Sequence, residues 1–118
     1  MEYRHEIMHM ADYTADDELI EDMHENIFTE LDCSKKYVMD AFRHKSENRA
    51  TADKELAMSA EELGHANMLK DKIEKTLEKF KQEKHQFYDR FALSWYYTKH
   101  RVESYMDWIK SLHEKYKK

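Results

Sequence analysis

The sequence predicts an all-α protein, a long antiparallel helical hairpin followed by a third helix. Three observations carry this. The chain has one Gly and no Pro among 118 residues, and tight β-turns draw heavily on both. Its apolar residues recur at helical spacing in three long segments. No repeat, linker composition or low-complexity block interrupts them. At 118 residues the chain is one domain by size.

The elements follow in order. Residues 1–13 read as a leader before a single helical domain, 14–118. Helix 1 is expected over about 14–46. It opens at Thr14-Ala-Asp-Asp17, an N-cap followed by first-turn acids. At 100° per residue, Leu19, Ile20, Met23, Ile27, Leu31, Ser34, Tyr37, Val38, Ala41 and Phe42 share one arc. The turn falls in Ser46-Glu-Asn-Arg-Ala-Thr51, with Thr51 and Asp53 as candidate caps for helix 2, about 52–82. That helix aligns Ala52, Leu56, Ser59, Leu63, Ala66, Leu69, Ile73, Leu77 and Phe80. A polar stretch at 81–86 leads to helix 3, about 87–116, with Phe91, Trp95, Thr98, Val102, Tyr105, Ile109, Leu112 and Tyr116 in register. Helices of about 30 residues are on the order of 45 Å long. So long a three-helix unit buries little per residue, so a homodimer or higher homo-oligomer is expected.

Charge and composition narrow the partners. Residues 1–78 hold 10 Lys and Arg against 20 Asp and Glu, whereas 79–118 hold 10 against 5. The basic residues form no run before Lys115, Lys117 and Lys118. A basic end docking on the acidic body of a neighbouring copy is therefore preferred to nucleic-acid binding. The aromatics of helix 3 are read as core or interface, with Tyr96, Tyr97 and Trp108 off the stripe as a second contact surface. No run nears 18 apolar residues, so no membrane span is expected. Residues 1–10 lack the apolar core of a secretory signal. The lone Cys33 has no intrachain disulfide partner, and a cytoplasmic, reducing setting is expected.

Two carboxylates fall inside apolar arcs, where an unpaired charge costs several kcal/mol. Glu62 is placed near the centre of the helix 2 stripe, between Met58, Leu69 and Ile73. Glu30 is placed toward one edge of the helix 1 stripe. For each, the bland alternative is a rim carboxylate that reaches solvent or pairs with Lys. His65 follows Glu62 by three residues, so both point the same way. With the turn centred near residue 48, Glu30, Glu62 and His65 agree in height within about 6 Å. A carboxylate on one helix then faces a carboxylate and an imidazole on the next. That donor set suits iron or manganese better than thiolate-loving metals. Glu-x-x-His also occurs at Glu2/His5, Glu6/His9 and Glu21/His24, but Glu21 points out of the stripe and that pair is read as solvated surface. His5-Glu6-Ile7-Met8-His9 has zinc-site spacing, yet an all-helical chain offers it no visible third ligand or cleft, and catalysis there is not expected. Gly64 either admits a close helix or is neutral.

The segment Ala60-Glu-Glu62-Leu-Gly-His65-Ala66, together with Glu30 upstream, resembles the first helix pair of ferritin-like di-iron carboxylate proteins such as rubrerythrin and the ferritins. The likeness covers roughly residues 16–80. It implies Glu30 and His65 as terminal ligands and Glu62 as a bridge between two irons, with manganese as an alternative metal. It also implies iron oxidation and storage, or peroxide detoxification, with possible ferroxidase activity. The family repeats its ligands on a second helix pair, whereas helix 3 has no carboxylate in its stripe; Glu103 and Asp107 point away. One chain would thus be a half-bundle, completed by a second copy, as in the short encapsulated ferritins. Those proteins carry a Gly-containing C-terminal targeting peptide, and Leu112-His-Glu-Lys-Tyr-Lys-Lys118 departs from that pattern. The competing reading is a non-enzymatic helical interaction or adaptor protein, viral proteins included, without a functional metal site.

Overall fold

The computed structural model describes residues 15–118 and contains three helices, α1 Ala15–His44, α2 Arg49–Gln82 and α3 Tyr88–Lys117. The described residues form an elongated all-α unit of 56 × 27 × 19 Å. The expected leader, the Thr14 cap and the His5–His9 string lie outside the described residues, as does the side chain of Leu19.

The first turn is shorter than the sequence suggested, and its cap differs. Asn48, in extended conformation at φ −148°, accepts a hydrogen bond from the Thr51 amide at 3.1 Å. A short polar side chain just before the first helical amides satisfies a donor the helix itself cannot. Neither Thr51 nor Asp53 serves as the cap. Asp53 instead accepts from Tyr116 Oη at 2.8 Å and from Arg49 Nε at 3.1 Å. At the second turn Lys84 takes φ +54°, and the His85 amide closes onto the Phe80 carbonyl at 2.9 Å.

Burial follows a seven-residue beat. Ile20, Ile27, Ser34 and Ala41 of α1 are wholly buried, as are Ala52, Ser59, Ala66, Ile73 and Phe80 of α2. Trp95, Val102, Ile109 and Tyr116 continue the same spacing on α3, none more than 5% exposed. A repeat of seven is the mark of helices wound slowly around one another, with side chains of one entering the gaps of the next. Most of the expected stripe is therefore core, while Tyr37, Phe42, Leu56, Leu69, Thr98, Tyr105 and Leu112 are only half-buried. Met106, outside the expected stripe, is buried.

The far end of α3 is tied to the first turn. Tyr116 packs with Ala41 and Ala52, flanked by Phe42 and Leu56. Lys45 donates to the Tyr116 carbonyl, and its ammonium lies 4.5 Å from the Tyr116 ring centroid. In the first half of α3, Trp95 Nε1 donates to Glu74 at 3.2 Å, and Lys99 pairs with the same carboxylate at 2.7 Å. Glu103 points away from the core, as expected, and pairs with Lys70 at 3.1 Å.

Candidate metal centre

α1 and α2 run antiparallel, so residues equally far from the turn meet. Glu30 of α1 lies beside Glu62 and His65 of α2, and one ligand atom from each falls within 4.8 Å of the others. His65 Nδ1 is 3.2 Å from Glu62 Oε1 and 3.4 Å from Glu30 Oε2. The three residues named from spacing alone are thus brought together.

Their placement differs from the expectation in one respect. Glu62 flanks the buried line of α2 instead of occupying its centre, and its side chain is 24% exposed. Met58, expected beside it in the stripe, is 42% exposed. The buried line runs through Ser59, Leu63, Ala66 and Ile73, one step round the helix. Glu30 flanks the buried line of α1 at a similar 27% exposure, and His65 is 47% exposed. The trio therefore sits at the seam of the hairpin, open on one side. Asn26, Thr29, Met68, Leu69 and Lys72 join Glu30 and His65 around a cleft of about 240 Å³ there.

The electrostatics are those of an unbalanced pair of acids. Hydrogen bonding between Glu62 and Glu30 raises the Glu62 pKa above its ordinary 4.5, burial and the Glu30 charge add to the rise, and His65 opposes it. Two carboxylates this close favour sharing a proton. Glu30 Oε2 is shielded from solvent and makes no hydrogen bond. Its polar neighbour is His65 Nδ1, 3.4 Å away as an ion pair, and a shielded carboxylate oxygen lacking a well-formed hydrogen bond is uncommon. A divalent cation among two carboxylates and an imidazole would fill both needs, so the donor set fits the metals expected from the sequence.

This arrangement fixes the pH response of the metal-free protein. Because the folded-state pKa of Glu62 is raised, the unfolded chain gives up that proton first. The stability the group contributes is present below the ordinary carboxylate range and is lost as pH rises through the folded value. Thermal melts of metal-free protein should fall as pH rises above the ordinary carboxylate range, through this group. Glu62→Gln should flatten that segment and raise the melting temperature near neutrality. Coincident melts for the two proteins across the range would mean that Glu62 is simply hydrated.

Other candidates resolve differently. Glu21/His24 is not a solvated pair. His24 is half-buried, with Nδ1 2.7 Å from the Ile20 carbonyl and its ring edge-on to Trp95 at 5.4 Å. Cys33 is half-buried and free. A Cβ added at Gly64 would meet nothing within 4 Å, so no close approach within the chain depends on it. Tyr96, Tyr97 and Trp108 are 62%, 68% and 46% exposed, off the core stripe as expected. Sequence reasoning placed Ser34 and Ser59 in the stripes without a role. They bond to one another, and Ser59 also bonds His113. Their signal was a hydroxyl at matching positions of two apolar stripes.

No family model matches the sequence, and no curated protein or solved structure matches it significantly. What fold and site define is a class: an all-α three-helix protein with a carboxylate–carboxylate–imidazole cluster on its helical hairpin. Among the described residues no helix is long and apolar enough to cross a membrane.

Proposed function

We propose that this chain is half of a ferritin-like metal centre. In this reading Glu30, Glu62 and His65 hold iron or manganese, and a second copy completes the site. The observation that carries it is the three-ligand cluster, in which Glu30 Oε2 is shielded from solvent and faces His65 Nδ1 at 3.4 Å without a well-formed hydrogen bond. Iron held there would supply oxidation of Fe(II) by O₂ or peroxide, in storage or detoxification. The chain's own residues set the conditions. Glu62 and Glu30 concentrate negative charge, His65 adds a neutral nitrogen donor, and the apolar core beneath limits water to the open side. Because binding requires ionised carboxylates, affinity should grow with pH.

A homodimer belongs to the same proposal, since α3 adds no ligand and the cluster is open at the seam. A reducing, cytoplasmic setting with Cys33 free is also part of it. Elemental analysis of purified protein should find about one iron or manganese per chain. Light scattering at micromolar concentration should show a dimer that metal tightens by mass action. A metal-loaded monomer would remove the shared site, and metal-free protein after iron-replete expression would remove the metal.

A second reading has one observation in its favour. Leu93, Tyr96 and Tyr97 stand 58%, 62% and 68% exposed on one turn of α3. An apolar patch of that kind suits a helical interaction protein. In that case metal analysis finds none and Glu62→Ala leaves assembly unchanged.

A further inference from the structure

Nearly every wholly buried position on the seven-residue beat of α1 and α2 is apolar; Ser34 and Ser59 are the exceptions, each 0% exposed. They face one another across the hairpin. Ser34 Oγ donates to the Ser59 carbonyl at 2.7 Å, and Ser59 Oγ donates to the Ser34 carbonyl at 2.7 Å. Both hydroxyl protons are thereby spent. Ser59 Oγ still has a lone pair, and His113 Nε2 lies 2.8 Å from it. Nε2–H of His113 is then the donor, and burial pushes the His113 pKa down, which favours the neutral ring. One small cluster joins all three helices.

We propose that Ser34, Ser59 and His113 form a registry key that positions the metal ligands. This inference rests on the metal reading above. Apolar layers such as Ile27 and Ala66 attract without direction, so a small axial slip costs them little. Two reciprocal hydroxyl–carbonyl bonds are directional and close at only one offset of the helices. Any slip breaks both interhelical bonds and returns the two hydroxyls to carbonyls of their own helices, as at Thr76, so the contact that fixes the offset is lost. A polar residue at one core layer is also an established way to fix helix register. The key lies one turn from the ligands, toward the hairpin turn. Glu30 is four residues before Ser34, and Glu62 is three after Ser59. Fixing the serines therefore fixes the height of Glu30 against Glu62 and His65. His113 makes α3, which has no ligand, a contributor to that alignment. The three are positioning residues and do not touch the metal.

The test is the double variant Ser34→Ala/Ser59→Ala, titrated with manganese(II) alone and followed by electron paramagnetic resonance. Both donors leave together, and each carbonyl keeps its bond within its own helix, so the fold is retained. Manganese affinity should fall about tenfold, as for other residues that orient ligands from behind. The metal-free melting temperature should stay within a few degrees. A second measurement needs no metal. Spin labels at the exposed positions Lys36 and Ala57, in a Cys33→Ala background, should give one narrow interhelical distance with the serines present and a broader one without them. If the double variant does not fold, Ser34→Ala alone should show the same direction. Wild-type affinity with an unchanged distance distribution overturns the key while the metal reading stands, provided Glu62→Ala abolishes binding in the same assay. Wild-type protein that binds no manganese and no iron overturns the metal reading, and the positioning role with it.

Discussion

Glu62→Ala is expected to lower iron or manganese affinity by at least about 100-fold, equivalent to ~2.7 kcal/mol. The substitution removes a carboxylate from the centre of the cluster, 3.2 Å from His65 Nδ1. In the proposed two-fold assembly it removes one bridging group from each half at once. His65→Ala should cost less, because it removes a neutral donor that is 47% exposed, where water can substitute. The order of the two effects is the informative result. Calorimetric titration of wild type and both variants with manganese(II) measures it. Equal, full affinity in all three would place the metal elsewhere. The fold should tolerate both changes, since neither side chain belongs to the buried line. Metal-free Glu62→Ala should even gain stability near neutral pH, because one of two crowded carboxylates is gone.

Phe80→Ala is the second large effect, this time on stability. Phe80 is 0% exposed and is one of the largest fully buried side chains. Its ring stacks on His85 at 4.1 Å between centroids and meets Phe91 at 6.1 Å. It therefore holds the α2–α3 connection against the start of α3, where Lys84 sits in the left-handed region. Removing such a ring costs about 3–5 kcal/mol, through lost transfer energy and the cavity left behind. A domain of this size has only about 5–15 kcal/mol in total. Urea unfolding should show the midpoint falling sharply with little change in slope. Because the ring lies far from Glu30, metal affinity of the folded fraction should be unchanged. A loss below about 1 kcal/mol would mean that the α2–α3 corner repacks around the gap.

The sequence by itself determined the helices and the three ligand candidates, for identifiable reasons. Local propensity and a 3.6-residue apolar beat, with almost no Gly or Pro to interrupt it, define long helices before any packing is considered. Both ends of α3 and the last residue of α2 fell within one residue of expectation, while α2 begins three residues earlier than expected, at Arg49. Antiparallel geometry then converts distance from the turn into height, which is why Glu30, Glu62 and His65 could be matched without coordinates. Asn48 was missed as the cap because Thr51 and Asp53 are equally capable side chains, and only backbone conformation decides among them. Glu21/His24 was misjudged because the approach of Trp95 from α3 is what buries His24.

Tertiary structure decided the finer placement. A 100° step and a seven-residue beat diverge by about 20° per heptad. Between Ser59 and Ala66 that drift is only about 20°, so it does not account for Glu62: at 100° per residue Glu62 already falls about 50° from the middle of its stripe, and the packing of α1 on Ser59, Leu63 and Ala66 leaves that flank beside the open cleft. That position changes its chemistry, from a sealed acid to one reachable from solvent. The pairing of Ser59 with Ser34 and His113 depends on residues 25 and 54 apart in the chain. No local pattern specifies such contacts, because they exist only once three helices have settled at one offset, with buried hydroxyls and an imidazole sharing hydrogen bonds.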